Sequence, residues 1–356
     1  MQLRWNDNSS AESGFEVQSK WQATDPFTTV SMTSSNVNHA KIGGIPAGRT
    51  HTFRVRAIGA SSISWSNEFQ STSVTDFASL PETLYLFAYF SDQIRGLQLA
   101  WSRDGYLFNE VKRFKYYLAP SVGEQQLMRD PSVVRGPDGI FRLVWTTGWQ
   151  GKTIGYASSP DLLTWSAQTA VPVMASFPNT VDTWAPEITY DSVLNRYLIA
   201  WASSMTGGTH RLYSTTTSNF TSFSSSQIFY DQGFGVIDGT WLKTGSTFTM
   251  LIKKETVGEY NLRLTTSSNL NGPYSTPSAP VTENDVEGGS AIQVGNEYLI
   301  YFDRYQAAGR GYGAVRSTDL SIWENINARV SFPEGARHGT VIAVPKAVIQ
   351  TLYNAP

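Results

Sequence analysis

The 356-residue sequence has no cysteine, which removes disulfides, thiolate metal sites and a cysteine nucleophile from consideration. Charge is scarce as well. Charged residues make up 16% of the chain, and 27 Lys and Arg stand against 29 Asp and Glu for a net charge of −2. No broad positive field is therefore available to hold nucleic acid or an anionic membrane. No run approaches the roughly 18 apolar residues of a membrane span. The start, Met1-Gln2-Leu3-Arg4-Trp5, lacks the basic-then-apolar pattern of a signal peptide, so any export signal is expected outside this chain, with a secreted or periplasmic location. What the chain has in quantity is aromatic surface: 18 Phe, 17 Tyr and 11 Trp, 13% of all residues. Its length suits two domains better than one, because single cores stop growing near about 250–300 residues.

Residues 1–75 alternate apolar and polar positions in short runs separated by Asn, Ser and Gly turns, among them Leu3-Arg4-Trp5, Phe15-Glu16-Val17-Gln18 and Thr52-Phe53-Arg54-Val55-Arg56-Ala57. They predict a small β-sandwich. Trp5, Asn6-Asp7-Asn8-Ser9 and Gly48-Arg49-Thr50-His51-Thr52-Phe53-Arg54-Val55-Arg56-Ala57 give this module its resemblance to a fibronectin type III domain. The resemblance begins at that family's second strand, so the first is expected to be missing, and His51 replaces the corner tyrosine. Residues 76–82 read as a linker.

From residue 83 to about 350 the chain is again all short strands, and here an internal repeat decides the architecture. A strand-plus-turn unit recurs as Trp101-Ser102-Arg103-Asp104, Ser158-Ser159-Pro160-Asp161-Leu162, Thr216-Thr217-Ser218-Asn219-Phe220, Ser267-Ser268-Asn269-Leu270 and Arg316-Ser317-Thr318-Asp319-Leu320. Its closing aromatics, Phe108, Trp165, Phe223, Tyr274 and Trp323, are 57, 58, 51 and 49 residues apart. Five near-equal units predict an all-β, five-bladed β-propeller with four strands per blade. Runs at 83–90, 96–102 and 113–119 lack an inner strand, and the last strand, Arg337 to Val344, lacks outer ones. Joining them closes the ring and leaves no open sheet edge.

A second series lies between the turns: Arg129-Asp130-Pro131-Ser132, Trp184-Ala185-Pro186-Glu187, Val236-Ile237-Asp238-Gly239-Thr240, Val286-Glu287-Gly288-Gly289-Ser290 and Arg337-His338-Gly339-Thr340. Asp130, Glu187, Asp238, Glu287 and His338 are spaced 57, 51, 49 and 51 apart, so they are expected at equivalent places around one axis. Crowded, buried carboxyls split their affinities for protons, one staying protonated while another ionises. Glycosidic hydrolysis needs such an acid and base.

With these motifs, residues 83–350 resemble glycoside hydrolase family 43, five-bladed propellers acting on arabinose- and xylose-containing polysaccharides. The carriers are Met128-Arg129-Asp130-Pro131-Ser132, Thr183-Trp184-Ala185-Pro186-Glu187, Val236-Ile237-Asp238, Val286-Glu287-Gly288 and Tyr312-Gly313-Ala314-Val315-Arg316-Ser317. The resemblance implies Asp130 as general base, Asp238 as the carboxylate that tunes the acid, and Glu287 as general acid, in an inverting single displacement. Gly289, where Pro often follows, and Glu187, where Asp is commoner, depart from the pattern without removing a catalytic carboxylate.

Inversion needs room for water, which predicts a separation of roughly 6.5–9.5 Å between the Asp130 and Glu287 carboxyls. Trp149 and Trp184 are the expected sugar-stacking residues, with Glu187, Arg310 and the axial His338 as further substrate contacts. Trp165 and Trp323 are expected to plug blades. No cofactor is required and no metal-ligand motif occurs, although the resemblance allows a calcium ion near His338. The expected activity is an exo-acting α-L-arabinofuranosidase on arabinan or arabinoxylan of plant cell walls, with β-xylosidase activity as a close variant. The alternatives are a lectin-like, non-catalytic propeller and an adhesion protein built on the fibronectin-like module.

Overall fold

The computed structural model describes residues 2–42, 50–59, 65–72, 77–112, 115–306 and 311–355. Gly48, Arg49 and Arg310, singled out above, lie outside the described residues.

The N-terminal segment forms strands β1 (Gln2–Arg4), β2 (Gly14–Lys20), β3 (Thr28–Ser34), β4 (His39–Lys41), β5 (Thr50–Ile58) and β6 (Phe69–Thr72). They make a four-stranded sheet in the order β3-β2-β5-β6 and a two-stranded one, β1-β4. Leu3, Val17, Ala40, Ile42 and Phe53 form its core, the apolar half of the alternation read above. His51 is buried, with its ring 6.0 Å from that of Phe53. The expected linker is not a free spacer: Phe77 and Leu80 pack on the core of the larger unit, and Phe77 stacks on Trp101.

The larger unit is all-β and propeller-like, built from successive antiparallel sheets. The first sheet has order β25-β7-β8-β9, from β7 (Thr83–Ser91), β8 (Gln98–Ser102), β9 (Asn109–Glu110) and the C-terminal β25 (Ala336–Pro345). β10 (Arg129–Arg135), β11 (Phe141–Thr146), β12 (Ile154–Ser159) and β13 (Thr169–Val171) make the second; β14 (Trp184–Asp191), β15 (Arg196–Ser203), β16 (Arg211–Thr217) and β17 (Gln227–Tyr230) the third. The fourth has only β18 (Val236–Thr244), β19 (Thr247–Lys254) and β20 (Asn261–Ser267), and the fifth has β21 (Glu287–Val294), β22 (Glu297–Asp303), β23 (Tyr312–Ser317) and β24 (Glu324–Asn325).

Two expectations need correction. Four strands per sheet fails at the fourth, where the backbone of Ser275, Ser278 and Val281 hydrogen-bonds the outer edge of β20 in place of a strand. The third run of the first sheet is β9 at Asn109–Glu110, rather than the expected run 113–119, of which 113–114 lie outside the described residues.

The second strand of each sheet reads as an almost continuous apolar run, because it is covered on both faces by neighbouring sheets. Leu143, Val144 and Trp145 on β11 and Leu198 to Trp201 on β15 are all buried. Innermost strands β10, β14, β18 and β21 touch in chain order, and β25 touches both β21 and β10. The C-terminal strand thus pairs with β7 and closes the circuit. A helix the strand pattern concealed, α1 (Lys346–Asn354), follows it and buries Ile349 and Leu352 against Leu84 and Leu86, so this unit runs past residue 350.

The repeated turn has one physical cause. At the end of each third strand a hydroxyl (Ser102, Ser159, Thr217, Ser267 or Ser317) accepts backbone N–H bonds from the turn, and the Asp or Asn two residues later accepts from the residues beyond it. Among the described residues no helix is long and apolar enough to cross a membrane.

Candidate active site

Each innermost strand carries a register shift near its start, between Arg129/Ser132, Trp184/Glu187, Ile237/Thr240, Glu287/Ser290 and Arg337/Gly339. A bulge re-aims side chains toward the axis. Its second residue has left-handed backbone in Asp130 (φ 49°), Ala185 (φ 46°), Asp238 (φ 56°) and Gly288 (φ 63°), a conformation that costs non-glycine residues on the order of 1 kcal/mol each. At Gly288 a β-carbon would also lie 2.6 Å from His338 Cγ, so glycine is required there.

This alignment corrects the five-member series. Asp130, Asp238 and His338 share the second position of the bulge, but Glu287 stands at the first and Glu187 at the fourth. The three positions meet the axis at different depths. Fourth-position side chains tie one inner strand to the next: Ser132 Oγ donates to Glu187 Oε2 (2.8 Å) and accepts from Ile188 N, Thr240 Oγ1 donates to Glu187 Oε2 (3.3 Å), Ser290 Oγ accepts from Val341 N, and Thr340 Oγ1 donates to the Pro131 carbonyl. Glu187 is thus 5% exposed and does not line the cavity described below. Its other oxygen faces His338 Nε2 at 4.0 Å, so it serves the histidine rather than a ligand.

His338 is the hub. Its Nδ1 lies 3.3 Å from Asp130 Oδ1. Burial disfavours its charge, but the charges of Asp238 and Asp130, the hydrogen bond to Asp130 and the charge of Glu187 overcome this and raise its pKa to about 10. Both ring nitrogens are turned to carboxylates, Nδ1 to Asp130 and Nε2 to Glu187. Among the described residues no group of His, Asp and Glu is arranged to hold a metal.

Around this cation the carboxyls diverge. Burial pushes Asp130 up, but His338, with Arg129 and the hydroxyl of Thr146, which donates to Oδ2 at 2.8 Å, outweighs it and holds the carboxyl below its ordinary value. Asp238 is raised to about 6, chiefly by burial and further by the charge of Glu287, against the pull of His338, Lys253 and the Gly288 N–H that donates to its Oδ2 at 2.8 Å. Glu187 is raised to about 7, again mainly by burial. Glu287 is held between two cations, Lys253 Nζ at 3.1 Å and Arg337 Nη2 at 3.4 Å.

Asp130, Asp238, Glu287 and His338 line one cavity of about 410 Å³, together with Asp92, Arg129, Thr146, Trp149, Trp184, Tyr305 and Arg337. Trp149, 53% exposed, and Trp184 form its aromatic edge with rings 6.2 Å apart and nearly perpendicular. Trp184 Nε1 donates to the Trp149 carbonyl, and its ring stacks on His210, which is itself held by buried Asp182. Trp165 and Trp323 pack on cores between sheets, away from this cavity.

Sequence reasoning missed a supporting hydroxyl, a cation and a carboxylate. Thr146, Lys253 and Asp303 lie on the second strand of their sheets, directly opposite Arg129, Ile237 and Glu287. Asp303 fixes Arg337 through Nε. With Ala202, opposite Trp184, they form a further series at the same period, which was available as a signal.

A propeller-like fold whose axis opens on three carboxylates and two tryptophans is the arrangement of a glycoside hydrolase. Residues 81–349 match the glycosyl hydrolase 43-related family, described as "Probable glycosyl hydrolase domain", and the chain belongs to that family. The sequence matches no curated protein. Among solved structures the fold is similar to an α-L-arabinanase from Cellvibrio cellulosa complexed with arabinohexaose (14% identity, 71% of this chain and 96% of that one, TM-score 0.54). It is also similar to a thermostable family-43 glycoside hydrolase (16%, 61% and 80%, TM-score 0.51) and to an exo-β-1,3-galactanase from Phanerochaete chrysosporium with β-1,3-galactotriose (11%, 70% and 61%, TM-score 0.53).

Proposed function

We propose that the chain is an inverting, exo-acting glycosidase that removes α-L-arabinofuranosyl groups from arabinan or arabinoxylan of plant cell walls outside the cytoplasm, with β-xylosyl groups as close variants. The observation that carries this reading is the convergence of Asp130, Asp238 and Glu287 on one small cavity edged by tryptophan. Asp130, ionised and steadied by Thr146 and His338, takes a proton from the attacking water; Glu287 delivers one to the leaving oxygen. Asp238, bound to the residue after Glu287, sets the charge beside that acid. A volume of about 410 Å³ is near the small end of ligand sites, about 300–1,000 Å³, which suits a chain end better than a polymer running through. In this reading the reaction needs no cofactor. The five sheets are taken as the blades of a five-bladed propeller. The two N-terminal sheets are taken as a fibronectin type III-like sandwich supporting it.

The test is a panel of nitrophenyl α-L-arabinofuranoside, β-D-xyloside and β-D-galactoside with arabinan, arabinoxylan and β-1,3-galactan. The highest kcat/KM is expected on the arabinofuranoside, with arabinose as the released sugar. Faster release of galactose from β-1,3-galactan would replace the sugar assignment and leave the chemistry. Binding of the polymers without hydrolysis of any of them would move the reading to a lectin-like propeller.

A further inference from the structure

One cation at the cavity has few hydrogen-bond partners among the described residues. The Arg129 guanidinium lies 4.5 Å from the ring centre of Phe90 and 4.3 Å from that of Trp149. The aromatic rings hold its orientation and leave hydrogen-bonding to its N–H edges. A guanidinium has five N–H donors, yet among the described residues Arg129 makes one hydrogen bond, from Nη1 to Asp92 Oδ1 at 3.4 Å. Arg337, by contrast, reaches Asp303, Glu287 and Asp92.

Asp92 therefore bridges two guanidiniums at the mouth of the cavity, 3.4 Å from one and 3.1 Å from the other, although its side chain is 60% exposed. Such an exposed pairing holds little energy and is readily exchanged. An internal carboxylate sits where an external one would be received. A stacked guanidinium accepts a carboxylate through parallel N–H···O bonds, a match that a neutral hydroxyl does not make.

We infer that Arg129 and Arg337 form a carboxylate-binding fork occupied by Asp92 in the free protein, and that the substrate carries a uronic acid residue beside the bond that is cut. The inference rests on the glycosidase reading only in assigning the carboxylate to a sugar.

The test is equilibrium titration with D-glucuronate and D-galacturonate, followed by tryptophan fluorescence or calorimetry, against D-glucose, D-galactose and the methyl esters of the uronates. The uronates are expected to bind at least tenfold more tightly than the neutral sugars and esters, with the advantage shrinking as salt rises. Arg129→Gln abolishes that advantage, and Arg129→Lys, which keeps the charge without the fork, loses most of it. Asp92→Asn, a change at an exposed side chain, strengthens uronate binding severalfold by removing the internal competitor. Equal affinity for uronates and neutral sugars in the wild type would overturn the proposal, and so would weaker uronate binding by Asp92→Asn. Since no bond is cleaved in the titration, its result is independent of the glycoside panel, and failure of either reading is visible separately.

Discussion

Replacing Asp130 by Asn is expected to lower kcat by about 10²–10⁴-fold on every glycoside the protein cleaves, the usual contribution of a positioned proton-transfer group. Its carboxyl is held ionised, and its Oδ2 is already aligned by Thr146; asparagine retains an acceptor for that hydroxyl but no basic oxygen. Glu287→Gln should behave differently. On substrates whose leaving group needs a proton it is expected to cost a similar factor, and on dinitrophenyl glycosides or glycosyl fluorides, whose leaving groups depart as anions, far less. Asp130→Asn is impaired on both substrate classes, because water must be activated whatever leaves. Steady-state kinetics of the two variants on the two classes make the comparison. Equal losses for Glu287→Gln on both would remove it from the acid role.

His338→Leu is expected to destabilise the catalytic unit by about 3–5 kcal/mol, the cost of removing one partner of a buried charge group. The change strands the carboxyls of Asp130, Glu187 and Asp238 together without their cation. The same interaction gives the wild type a pH signature. Below about pH 6.5 the imidazole is protonated in both folded and unfolded chains; between there and about 10 only the folded chain keeps the proton, so rising pH favours unfolding throughout that window. Urea midpoints measured from pH 6 to 10 should fall for the wild type. Between about pH 8 and 10 His338→Leu should lack that decline, since it has no such proton to lose. An equally steep decline in the variant would show that the proton belongs to another group.

Much of the fold was legible in the sequence because one local device repeats. Ser159 and Asp161, or Ser317 and Asp319, satisfy a turn's backbone donors through their own side chains, so the chemistry of the turn is written in two residues and recurs with the sheet. Closure of the first sheet by the last strand followed from counting which runs lacked an inner neighbour.

The depth of each site residue was not legible. A bulge inserts a residue at the start of every inner strand, so a spacing near fifty places a side chain within a few positions of the axis without saying which of them it holds. Glu187 and Glu287 illustrate this, one turned beneath the floor and the other into the cavity. Lys253 was hidden for another reason: it follows the apolar run Met250-Leu251-Ile252 on β19, where it looks like a strand terminus, yet it is 3% exposed and paired with Glu255 and Glu287. Arg337 and Arg129 precede the predicted His338 and Asp130, and their importance comes from partners, Asp303 and Asp92, that lie more than thirty residues away.

The stereochemistry of the reaction tests the proposed pairing of Asp130 as base with Glu287 as acid most directly. Following hydrolysis by ¹H NMR from the first minutes, before mutarotation, reports the anomer released. In the proposed mechanism the water activated by Asp130 attacks the face opposite the leaving group, so the first-formed sugar is predicted to have inverted configuration. A retained configuration would require a covalent intermediate on one of these carboxylates and would contradict the account.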